Sequence, residues 1–141
     1  CAGGLPTAVI GESGNAGPII AILGEYDALP GLSQHSGQTK LNAVEDGADG
    51  HGCGHNIFGA AAMLAATALK DWIKENNIQA TVRYYGCPAE EGGAAKIYMV
   101  REGLFDDVDV AISWHPAPFT AVNQEPSMAN VRIDYTFQGS A

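Results

Sequence analysis

Hydrophobic positions cluster in short runs separated by glycine-rich turns. "TAVIG" and "PIIAILG", Thr7 to Gly11 and Pro18 to Gly24, predict two β-strands around a turn at Gly14 and Asn15. The core of the second, IIAIL, has no polar alternate, as expected for a strand covered on both faces by helices. A polar stretch from Glu25 to Gly52 follows, with Pro30, five glycines and no periodicity. Loops of that length within compact domains are functional or disordered. The Ala- and Leu-rich run from about Ile57 to about Glu75 predicts a helix. "ATVRYYGCP" predicts a third strand, stopped by Gly86 and Pro88, and "GGAAKIYMVREGLF" a second helix with Gly103 at its C-cap. "VDVAISWHP" predicts a fourth strand, and "MANVRIDYTFQG", which alternates clearly, a fifth lying half exposed in another sheet.

Strands alternating with helices predict an α/β layer fold with a partly parallel sheet. Ligands of such sheets bind at the carboxyl edge, where strands end and loops begin. The reactive side chains fall there: Asp27 just past IIAIL, Glu90 and Glu91 past TVRYYG, His115 past VAIS, while Cys53 and His55 lead into the first helix.

Composition narrows the chemistry. Seven Lys and Arg against sixteen Asp and Glu give a formal charge of -9, which opposes phosphate backbones and anionic lipid, so neither nucleic acid nor membrane is an expected partner. The longest apolar run, Ile57 to Leu69, is too short to span a bilayer. Three cysteines, Cys1, Cys53 and Cys87, are odd in number and widely spaced, which argues against a disulfide framework and for a reducing compartment, with cytoplasm the expectation. The chain lacks an initiator Met and stops in an apolar strand pattern, and so reads as a piece of a longer protein.

Three clusters carry the chemistry. In "HGCGH", if extended, Cys53 and His55 face one point while Gly52 and Gly54 let the chain curl around it; thiolate and imidazole suit zinc and its neighbours, and the bland alternative is a buried Cys beside a turn His. In "CPAEEGG", Glu90 and Glu91, if extended, point in opposite directions, so one can bind a cation and the other take a proton; an isolated pair of this kind is more often a solvated loop, but these two follow an apolar strand and are flanked by Pro88 and Gly92. In "SWHP", His115 ends an apolar strand, where a lone His is more often structural. Jointly the three make a mixed sulfur, nitrogen and oxygen set typical of catalytic metal sites. His35 reads as solvated, His51 as either a bystander or a substrate contact, and Cys87 as a packed small residue.

"GEYDALPGL", "HGCGHN", "PAEEGG" and "SWHP", in this order with helices between them, resemble the metallo-amidohydrolase family of aminoacylases, carboxypeptidase G and plant indole-acetyl amino acid hydrolases. Within it, these motifs are similar to those of the p-aminobenzoyl-glutamate hydrolase branch, including Asn56 where many relatives carry Asp. The resemblance implies a zinc-exopeptidase-like catalytic domain, a three-layer sandwich with a mixed sheet, over 1–126, and the first strand of a lid and dimerisation domain over 127–141. It implies two divalent metal ions, zinc or manganese, with Cys53, His55, Glu91 and His115 as ligands, Glu90 as base, Asp27 orienting a ligand, and a further His ligand beyond Ala141. The implied substrate is a small N-acyl or N-aroyl amino acid, and the implied assembly a homodimer or hetero-oligomer. Two rivals remain: a cysteine hydrolase using Cys53 with His55 or His115 as base, and a structural-metal or small-molecule binding module.

Overall fold

The computed structural model describes residues 1–122, 126, 128–129, 131 and 133–140. Four strands and three helices follow the order β1 (Val9–Ser13), β2 (Ile19–Glu25), α1 (His55–Glu75), β3 (Thr81–Cys87), α2 (Glu90–Gly93), α3 (Ala95–Arg101) and β4 (Val110–Ile112). The sheet runs β1-β3-β2-β4, with β2 parallel to both β3 and β4, and β1 antiparallel to β3. The mixed, partly parallel sheet is therefore as expected. Its order is less obvious, because β1 and β2 are joined by a tight turn yet do not pair: β3 inserts between them.

The apolar run of β2 explains itself once both faces are seen. Ile22 packs with Phe58, Ala62, Ala66, Ile73, Ala80 and Val82, the layer formed with α1. Ala21 and Leu23, on the opposite face, pack with Ala8, Tyr85, Cys87 and Met99, the layer formed with α3 and the segment after it. Strand side chains alternate between faces, so a central strand sandwiched by two layers must be apolar at every position. On that second side Arg83 of β3 binds Glu12 of β1 at 2.6 Å and both carboxylate oxygens of Asp107 at 2.6 and 2.9 Å, tying the edge strand to the segment after α3.

Helix α1 starts at His55, two residues before the apolar run, because Gly54 takes a left-handed conformation (φ 86°) and its carbonyl accepts the N–H groups of Ile57 and Phe58. It stops where Asn77 turns left-handed (φ 53°) and Ile78 N–H returns to the Ile73 carbonyl at 3.0 Å, a Schellman closure. The predicted second helix is broken. The single turn α2 precedes α3, and Ala94 between them is left-handed (φ 48°), so the helical ladder cannot run through it. Gly103 (φ 72°) does close α3, with Leu104 N–H on the Met99 carbonyl at 3.1 Å.

The long loop between β2 and α1 is ordered by its backbone. Leu29 and Gly50 exchange hydrogen bonds at 3.0 and 2.9 Å, Ser33 N–H reaches Ala48 O, and His35 N–H reaches Asn42 O. The predicted fifth strand is not seen among the described residues of 128–139: Met128, Tyr135 and Phe137 are exposed, and no described strand offers a partner; Asn130 and Arg132 lie outside the described residues. Among the described residues no helix is long and apolar enough to cross a membrane.

Gly59 sets how closely α1 approaches the end of β2, since a Cβ there would lie 2.7 Å from the Glu25 carbonyl oxygen. Helix propensity alone would make Gly59→Ala stabilising by about 1 kcal/mol, while overpacking against atoms that cannot rotate away costs about 1–3 kcal/mol. The expected outcome is a net loss of stability, seen as a lower denaturant midpoint with an unchanged m-value; a gain would show that α1 is free to shift.

Candidate metal centre

Side chains from four places in the chain meet at the carboxyl edge of the sheet. His55, the first residue of α1, is fully buried and central. Its Nδ1 lies 3.0 Å from Asp27 Oδ1, just past β2, and the other Asp27 oxygen accepts the Glu91 backbone N–H at 2.9 Å. A carboxylate can only accept, so Nδ1 carries the proton and Nε2 presents its lone pair. That Nε2 faces Glu25 Oε2 at 3.1 Å and Glu91 Oε1 at 3.9 Å. It is nevertheless the buried side-chain polar atom without a hydrogen-bond partner among the described residues, because an imidazole lone pair and a carboxylate oxygen are both acceptors.

His115 follows the same rule. Its Nδ1 lies 2.9 Å from the Pro116 carbonyl, which leaves Nε2 3.2 Å from Cys53 Sγ. Packing puts it there: Trp114 meets Phe58 of α1 edge-on at 5.5 Å, and the His115 ring stands 5.6 Å from that of His55. Gly54 admits the incoming chain, since a Cβ there would touch Pro116 at 3.0 Å. Ligand atoms of Cys53, His55 and His115 lie within 4.8 Å of one another, and so do those of Glu25, His55 and Glu90.

Two local geometries differ from expectation. Residues 51–55 are not extended: Cys53 sits in a turn in which Gly54 N–H bonds the His51 carbonyl, and the left-handed Gly54 brings Cys53 and His55 to one point. Glu90 and Glu91 are not extended either. They open the turn α2 after a left-handed Ala89 (φ 51°), which sets successive side chains roughly 100° apart instead of opposed, so both face the His55 cluster. His51 is exposed, and His35 enters through its backbone alone.

The electrostatics favour a cation. The carboxylates of Glu25, Asp27, Glu90 and Glu91 gather around His55, and Lys96 of α3, paired with Glu25, neutralises one of them. Burial alone would raise the Asp27 carboxyl, but the Glu91 N–H and His55 together hold it below the ordinary carboxylate range. Burial, a hydrogen bond to Glu91 and the field of the neighbouring carboxylates push the Cys53 thiol up. Cys87, pushed up to about 11 by burial against the opposing influence of Lys96 and with Glu25 adding, is an inert packed thiol, in keeping with its reading from sequence. A lone pair in a dry pocket, a thiol and a surplus of carboxylates form a set that a divalent ion would complete.

Sequence reasoning missed Glu25 and Lys96. The signal for Glu25 was an acidic residue ending a wholly apolar strand; nothing local singled out Lys96, which lies in a largely apolar helical run.

A family model described as Peptidase family M20/M25/M40 matches residues 21–138. The chain is 50% identical over 139 residues to a p-aminobenzoyl-glutamate hydrolase subunit of Escherichia coli (strain K12), covering 99% of this chain and 29% of that protein. It is 32% identical over 147 residues to Xaa-Arg dipeptidase of Mus musculus, covering 98% of this chain and 30% of that one. Among solved structures, the Bacillus subtilis YXEP protein, described as a dinuclear metal binding peptidase from the M20 family, superposes with a TM-score of 0.65 at 29% identity, over 79% of this chain and 31% of its own. The chain thus spans 29% and 30% of the length of these two curated relatives. Matched by the family model along most of its length, it belongs to the peptidase family M20/M25/M40.

Proposed function

We propose that the protein hydrolyses the amide bond between an acyl or aroyl group and an amino acid, with the help of divalent metal ions. The observation that carries this is the convergence of Cys53, His55 and His115 within 4.8 Å, with Glu91 3.9 Å from His55 Nε2 and Glu90 grouped with Glu25 around the same His55. The relatives' names support the reaction class: besides the two above, N-acetyl-L-cysteine deacetylase of Bacillus subtilis is 33% identical over 117 residues. Substrates of the p-aminobenzoyl-glutamate or N-acyl amino acid type fit that set, and the naming of one relative as a hydrolase subunit supports a homodimer or hetero-oligomer at full length. In this reading 1–126 belong to the catalytic part and 127–141 begin a lid.

Cys53, His55, Glu91 and His115 would hold the ions, two in number, zinc or manganese. Bound there, divalent ions supply Lewis acidity that acidifies water and polarises the scissile carbonyl. Glu90 does the proton work: a carboxylate oxygen accepts the proton from the attacking water and returns it to the departing amine nitrogen. Asp27 keeps the His55 ring fixed and its Nε2 lone pair turned inward, while the same carboxylate anchors the start of α2 that carries both glutamates.

The cysteine-hydrolase reading has one observation in its favour, the 3.2 Å contact between Cys53 Sγ and His115 Nε2. An activated nucleophile needs a thiol pKa pushed down, whereas burial and the surrounding carboxylates push that of Cys53 up. A structural metal module would favour a closed, cysteine-rich site, whereas His115 here is exposed and the donors are of three kinds.

Three measurements on the full-length protein test this. Chelation followed by dialysis should abolish hydrolysis of N-acyl amino acids and added manganese or zinc should restore it; activity indifferent to chelators but lost on thiol alkylation would favour the cysteine hydrolase. Glu90→Gln should retain bound metal and lower kcat by about 100- to 10,000-fold; a variant with wild-type turnover would remove Glu90 as the base. Cys53→Ser should lose metal affinity and activity together, with excess metal partly restoring activity. Activity lost at unchanged metal affinity would count against a ligand role.

A further inference from the structure

Glu25 is the one buried carboxylate among the described residues, and its two oxygens do different things. Oε1 accepts from the Lys96 ammonium, which comes from α3 on the other side of the sheet edge. Oε2 lies 3.1 Å from His55 Nε2. With the Nδ1 proton committed to Asp27, that contact sets an imidazole lone pair against a carboxylate lone pair in a place where Nε2 has no access to solvent. Two acceptors at this distance repel unless something positive lies between them or the imidazole is doubly protonated. A doubly protonated ring would donate to Oε2, yet at 3.1 Å the pair does not form a hydrogen bond.

The separation has a simple interpretation. Nitrogen and oxygen ligands lie about 2.0–2.2 Å from a zinc ion, so two of them on one ion, at angles between right and tetrahedral, stand about 2.9–3.5 Å apart. Glu25 Oε2 and His55 Nε2 have the spacing of two ligands of one ion, and Glu91 Oε1 lies 3.9 Å from the same Nε2. We propose that Glu25 is itself a ligand of a divalent ion bound at His55 Nε2, and that Lys96 is its fixed counter-ion, occupying Oε1 so that Oε2 alone is offered inward. The site then has an oxygen-rich side (Glu25, Glu91) and a sulfur and nitrogen side (Cys53, His115), with His55 between them and Glu90 beside it as the base. This inference rests on the reading of the cluster as a metal centre.

The test titrates manganese into the full-length protein, stripped of metal by chelation, and follows heat and bound-metal content. Wild type is compared with Glu25→Gln and with the double variant Glu25→Leu/Lys96→Met, which removes both charges so that neither is left buried alone. Circular dichroism and thermal melting establish that the variants fold, and the double variant decides the matter if the single one does not. The expected result is a loss of about 100-fold or more in the affinity of at least one binding step in both variants, and a loss of about tenfold in Lys96→Met, as for a residue acting on a ligand from outside. Folded Glu25 variants that bind manganese within about threefold of wild type would overturn the proposal, making Glu25 a packing partner of Lys96 and leaving the metal centre intact. A wild-type protein that binds no divalent ion would overturn the metal-centre reading as well.

Discussion

The carboxylate of Asp27 holds three chain segments in place at once. It stands just beyond the end of β2, accepts the His55 Nδ1 proton at the start of α1, and accepts the Glu91 N–H at the start of α2. Hydrogen bonds to a charged acceptor are worth about 1.5–3 kcal/mol each, and here they also define a tautomer. Because one oxygen takes the imidazole proton, the other ring nitrogen is left as a buried lone-pair donor without a hydrogen-bond partner among the described residues. Every other feature of the cluster is arranged around that atom.

The three-layer architecture delivers the remaining groups to it. β2 and β3 run parallel, so both end at the same edge, and Glu25 pairs in register with Cys87. β4 runs the same way beside β2, and the chain leaving it carries Trp114 onto Phe58 and His115 over His55. Glycines make the crowding possible: Gly59 lets α1 sit against the Glu25 carbonyl and Gly54 lets Pro116 pass over the start of that helix. A parallel sheet with helices on both faces concentrates strand ends, helix starts and their polar side chains at one edge.

That concentration is electrostatically costly by itself. Four carboxylates around one histidine repel one another, with Lys96 alone paired among them in the described residues. Such a cluster contributes little to stability and is consistent with a site organised to receive positive charge. The same field that raises the Cys53 thiol argues against using it as a free nucleophile.

Much of this was legible in the amino-acid order alone. The runs that became β2, α1, β3 and β4 stand out by local hydrophobicity, Gly103 marks the end of α3, and the placement of Cys53, His55, Glu90, Glu91 and His115 at element ends pointed to one edge of an α/β sheet. These are short-range properties, set by propensity and periodicity within a few residues. The insertion of β3 between β1 and β2, the break at Ala94, and the convergence of Glu25 and Lys96 on His55 were not legible. Strand order and ion pairing across 71 positions depend on contacts between segments remote in sequence, and no local pattern encodes them. Which histidine nitrogen faces the site was likewise a tertiary decision, because it is made by the acceptor that Asp27 places beside the ring and not by the histidine itself.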